Sequence, residues 1–212
     1  MASPLMANCS RNFRVACALV AFLSATAAAA ERHDQPPVSV RVYDYASVPV
    51  DVLDRAQDEV RHLYARIGVD TTWVETRHRS HHPEDASPKQ HVQSTDVIVI
   101  LLNASMTTRM APPADVVGMA ATTPTAHGHI AYVFYDRLQI DPRQSDASKV
   151  SALAFVMAHE IGHLLLPYGS HSDTGAMRGR WNRDALSRLD VRGLQFTPLQ
   201  GRQIRRLLES AW

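Results

Sequence analysis

HEIGHLLLPYGSHSDTGAM, residues His159 to Met177, decides how the rest of this chain is read. On a helix His159 and His163 stand four residues apart, so both imidazoles project from one face and can grip a single metal ion. Glu160 lies about 100° round the helix from His159, close to such an ion without having to ligate it. Two neutral nitrogens to hold zinc and a carboxylate to take a proton are what the activation of a water molecule requires. A third protein ligand is still needed, and His171 stands just beyond a chain-reversing Pro167–Gly169. The stretch reads as a site for one catalytic Zn2+.

Outward from that stretch, Ser145 or Ser148 can cap a helix running through Val150, Leu153, Met157, Ile161 and Leu164. Pro167 forces Leu166 away from helical dihedrals and ends it. Downstream, Thr197–Pro198–Leu199–Gln200 forms a capping box with proline at the first helical position. The helix it opens puts Leu199, Gln203, Ile204, Leu207 and Leu208 on one mostly apolar face.

Upstream, Asp96 to Leu102 (DVIVILL) is a continuous apolar run, predicted as a central strand buried on both faces. His129 to Tyr135 reads as another strand, and Asn103 to His127 as irregular chain. His127 and His129 are read as exposed strand-end residues in preference to metal ligands. Val38 to Tyr45 alternates as a strand; a helix opens at Pro49, keeps Leu53, Ala56, Val60, Leu63 and Ile67 at helical spacing, and stops at Gly68. Val69 to Glu75 is a further strand. The loop after it carries His78, His81, His82 and His91, but Pro83, Pro88 and its charges read as inert surface and not as a second metal site.

Residues 1–30 have the organisation of a secretory signal peptide: Arg11 and Arg14, then the apolar Val15 to Leu23, then a small-residue tail ending at Ala30. The apolar part is about half the roughly 20 residues a membrane-spanning helix needs, so no stable span is expected after processing. Both cysteines, Cys9 and Cys17, fall in this segment, which leaves residues 31–212 without disulfides, thiolate ligands or a cysteine nucleophile. That remainder suits one domain, exported to a periplasm or to the exterior. Setting Arg11 and Arg14 aside leaves 20 basic against 21 acidic side chains, which gives no footing for nucleic acid. Eight arginines between Arg178 and Trp212 are read as a solvated face.

The stretch resembles the metzincin clan of zinc endopeptidases, with HExxHxxGxxH and a following methionine turn. The local likeness to the matrix-metalloproteinase version is the run HSDTGAM. The resemblance implies His159, His163 and His171 as zinc ligands, Glu160 as general base and Met177 as the turn methionine. It also implies an α+β zincin fold, with a mixed twisted sheet, an active-site helix and a C-terminal helix. Two departures stand out: Leu166 occupies the position of the usual glycine, and His171 follows His163 by eight residues instead of six. Tyr168, Asp173, Ser172 and Trp181 are candidates for the surroundings of the metal or for a substrate pocket.

The expected activity is therefore that of a secreted zinc endopeptidase acting on protein or peptide. Two alternatives remain at this point. One is a gluzincin-like peptidase whose third ligand is Asp184 or Asp190; the other is a zinc-stabilised envelope binding module without hydrolytic activity.

Overall fold

The structure, a computed structural model, describes residues 38–76, 96–123, 128–138, 145–179, 185–186 and 188–210. The signal-peptide segment, the loop from His78 to His91, His127, Trp181 and Asp184 lie outside the described residues. The described residues all fall in one compact unit, Gln35–Trp212. Among them no helix is long and apolar enough to cross a membrane.

Strand β1 (Val38–Asp44) alternates valine with polar residues, and its valines Val38, Val40 and Val42 are almost completely buried. Helix α1 (Val50–Ala65) carries the chain to β2 (Thr71–Thr76), which pairs with β1 in parallel, Val40 opposite Trp73. On the other side of β1 lies β3 (Asp96–Leu102), also parallel, with Val42 opposite Val99. Helix α2 (Ala104–Met110) and the short strand β4 (Gly118–Ala120) precede β5 (Ile130–Phe134). The sheet order is β2-β1-β3-β5-β4, parallel throughout except for the antiparallel edge strand β4.

The long helix α3 (Asp146–Leu165) and α1 pack against each other, which places both on one face of the sheet. The expectation of burial on both faces of β3 is met only in part: Val97, Val99 and Leu101 are buried on the helix-covered face, whereas on the other Ile98 and Ile100 are half-buried between the buried Asp96 and Leu102. Asp96 is buried at the start of β3, where the Arg41 guanidinium pairs with it at 3.0 Å. A charge left alone there costs several kcal/mol, so the partner is a condition of the burial. Helix α4 (Pro198–Ser210) buries Ile204 and Leu208 against the remaining core. Its inward face differs from the predicted one, because Gln200 and Gly201 are buried while Leu199 is exposed.

The segment predicted as irregular holds two elements. Asn103 caps α2 by accepting the Met106 N–H at 3.0 Å, and Ala111 closes it in the left-handed region at φ 50°. Arg137, just past β5, then donates to the carbonyls of Pro112, Pro113 and Val116 and fixes the approach to β4.

Candidate metal centre

Helix α3 opens at Ser145, whose hydroxyl accepts the Ser148 N–H at 3.2 Å. It is apolar on almost every side because the sheet, α1 and the C-terminal helix pack round it, and most of its residues from Val150 onward are buried. The Tyr64 hydroxyl of α1 donates to the carbonyl of Ala158, one residue before His159, and locks the helix in place. The helix ends as Pro167 requires: Leu166 has φ −117° and ψ 159°. Gly169, at φ 79°, then turns the chain back towards the helix.

That reversal brings His171 to the two helical histidines. The Nε2 atoms of His159 and His171 each lie 3.0 Å from Nε2 of His163. A single proton can bridge one of these contacts but not both, whereas a cation takes all three lone pairs at once. Ligands at about 2.1 Å from a tetrahedral zinc stand about 3.4 Å apart, close to the spacing seen. Among the described residues this is the one group able to hold a metal ion, and Asp190 is not part of it. His129 instead sets its Nδ1 3.3 Å from the Asp96 carbonyl, at the start of β5.

The surroundings prepare the nitrogens. Nδ1 of His159 donates to the Ala176 carbonyl at 2.8 Å, so the proton sits on Nδ1 and Nε2 is left as a lone pair. Burial holds His159 down to about 4 and His163 down to about 3, the neighbouring imidazoles adding to the effect, so both are neutral at pH 7. Next along the chain Met177 is fully buried, its sulfur beneath Gly162, one residue before His163. A side chain at Gly162 would strike that sulfur and the ring of Phe196, so the methionine can only sit there under glycine.

Glu160 is nearly buried, and loss of hydration raises its carboxyl to about 8, although the Ala120 backbone N–H bonds to it and pulls the other way. Strand β4 lies against it closely. A Cβ on Gly118 would come within 2.7 Å of Glu160 Oε1 and of Val156 Cγ1. Only a glycine lets the strand lie this near the carboxyl. The three histidines and Glu160 open on a cleft of about 1050 Å³, with β4, Phe155, Tyr168 and Arg178 among its walls. Tyr168 stands on its rim, 64% exposed. Asp173 lines a smaller adjoining cavity with His171 and Arg178.

Two parts of this site escaped sequence reading. Gly118 and Ala120 sit in a strand too short for periodicity to show. The Ala176 carbonyl is backbone, and its only signal is its place beside the methionine of the turn.

No described family and no curated protein matches the sequence. Solved structures do match. A zinc-dependent peptidase from Methanocorpusculum labreanum superposes with a TM-score of 0.53 at 16% identity, covering 78% of this chain and 99% of that one. Archaemetzincin from Methanopyrus kandleri gives a TM-score of 0.53 at 17% identity, covering 82% and 96%. The chain has their fold. At such identity the likeness concerns the arrangement of strands and helices, which is the metzincin-like zincin arrangement expected from the sequence.

Proposed function

We propose that this chain is a secreted zinc-dependent endopeptidase. The observation that carries the reading is the convergence of three Nε2 atoms at 3.0 Å spacings beside a buried carboxyl, at the floor of an open cleft. His159, His163 and His171 would hold the ion, which when bound supplies Lewis acidity to a peptide carbonyl and to an attacking water. Glu160 takes the proton from that water and returns it to the leaving amine.

Strand β4 provides the place for the substrate. The Val117 carbonyl and the Ala121 N–H face β5, bonding to Phe134 and Ile130 at 3.0 and 2.9 Å. By alternation, the backbone groups of Gly118 and Ala120 face away from β5; the Ala120 N–H is taken by Glu160 and its carbonyl accepts the Thr122 N–H at 3.0 Å, which leaves those of Gly118 on the cleft side. An extended peptide can pair with this sheet edge, which fixes the chain's direction and depth without reading its sequence. Likeness to the zinc-dependent peptidases supports the same reading.

Hydrolysis of an unfolded protein tests it. Wild type should cleave, chelator should stop cleavage, and added zinc should restore it. Glu160→Gln should keep zinc and lose at least ~10²-fold in rate, the lower end of what positioned proton transfer contributes. A wild type that binds zinc and cleaves no unfolded protein offered would instead favour a zinc-stabilised binding module. Export rests on residues 1–30, and the exported protein should lack about thirty residues by intact mass.

A further inference from the structure

The connection between His163 and His171 is long, and its ends alone do not hold it. Pro167 and Gly169 set the turn, yet His171 itself is exposed and its ring is not packed in the core. Something must fix the peptide on either side of it.

We propose that Gln200, on the C-terminal helix, is the positioning residue for His171. Gln200 is buried, only 6% exposed. Its Oε1 accepts the Thr197 N–H at 2.9 Å while the Thr197 hydroxyl accepts the Gln200 N–H at 3.2 Å, the reciprocal pair of a capping box. A capping box uses only the oxygen of the amide. The nitrogen, Nε2, points the other way and donates to the Ser170 carbonyl and to the Ser172 hydroxyl, both at 3.3 Å. Those two residues flank His171 in the chain.

The Ser172 oxygen is free to accept because its own proton goes to the Thr174 carbonyl at 2.8 Å. The Ser172 N–H in turn bonds the Met177 carbonyl at 2.8 Å, and the His171 N–H bonds that of Gly169 at 2.8 Å. One amide group therefore joins the start of α4, the histidine loop and the methionine turn. A glutamate serves a capping box equally well; the amide nitrogen is needed only for the loop. The inference rests on reading the three histidines as a metal site.

Two substitutions separate helix capping from ligand positioning. Gln200→Glu keeps the oxygen for Thr197 and removes both donors to the loop. Zinc affinity, measured by competition with a chromophoric chelator, should fall about 10–100-fold, the usual effect of losing a group that orients a ligand. The unfolding midpoint of the metal-free protein should stay within a few degrees. Thr197→Ala breaks the cap and leaves Nε2 in place, so the metal-free midpoint should drop while zinc affinity holds within about threefold.

Should the buried glutamate prevent folding, Ser172→Ala removes one acceptor from the loop side and should weaken zinc binding by about tenfold. Wild-type affinity in Gln200→Glu, or in Ser172→Ala where that variant is needed, overturns the proposal. So does a loss of affinity in Gln200→Glu and Thr197→Ala that follows their loss of stability. Wild type that takes up no zinc would overturn the metal reading beneath it, a result the variants cannot mimic.

Discussion

Replacing Gly118 by alanine is a one-carbon change whose effect can be worked from the structure. The new methyl would sit 2.7 Å from Glu160 Oε1, 2.7 Å from Val156 Cγ1 and 2.8 Å from Glu160 Cγ. Carbon atoms rest at about 3.5–4.0 Å, so strand β4 must retreat by about 1 Å or push the carboxyl aside. Overpacking of this kind costs about 1–3 kcal/mol. The low end applies here, because a three-residue strand at the sheet edge can slide more easily than an interior one. At about 2–4 °C per kcal/mol for a domain of this size, that low end of about 1 kcal/mol should lower the unfolding midpoint by about 2–4 °C.

The catalytic loss should be larger than that modest instability implies. Retreat of β4 breaks the bond from the Ala120 N–H to Glu160 and shifts the edge on which the peptide lies. A misplacement of about 1 Å can cost about 10² in rate. Thermal unfolding and kcat/KM on an internally quenched peptide, both with zinc saturating, provide the check. If Gly118→Ala kept kcat/KM within twofold, the strand could not be what sets the carboxyl against the substrate.

Arg137→Ala should free the Pro112–Val116 approach to β4 and raise KM more than it lowers kcat, since the lost bonds hold the substrate edge and not the reacting groups; a fall in kcat alone would contradict this. In chelator, Glu160→Gln should change how stability depends on pH. The Glu160 carboxyl rises from 4.5 unfolded to about 8 folded, so its contribution is complete below pH 4.5 and is lost as pH rises through 8. The variant should therefore gain on wild type between pH 4.5 and 8, by differential scanning fluorimetry. A constant difference across that range would mean that the carboxyl is not held protonated by burial.

The active-site helix was legible because several independent signals fall in register: a cap at Ser145, an apolar sequence suited to burial, a helix-ending Pro167 and two histidines four apart. Strand β3 was legible in extent but not in environment. Its apolar run reads the same whether one face is covered or two, and only the common side of α1 and α3 decides. Helix α2 and strand β4 left no periodic trace. Only Thr107 of α2 is buried, and three residues are too few to alternate. The capping box at Thr197 was visible as a local device. That its glutamine nitrogen reaches Ser170 and Ser172 is a long-range fact, set by where α4 docks and written in no nearby residue.

The dependence of His171 on a group in α4 has a consequence for the order in which the molecule matures. His159 and His163 lie on one helix and are paired as soon as that helix forms. The brace for the third histidine belongs to an element synthesised later. During synthesis the peptide has two ligands aligned and a third that wanders. Full grip on the metal arrives when α4 docks. Loading thus becomes a report that the later helix has found its place, and a chain whose last helix is missing or misdocked is a poor metal binder and a poor catalyst by the same defect.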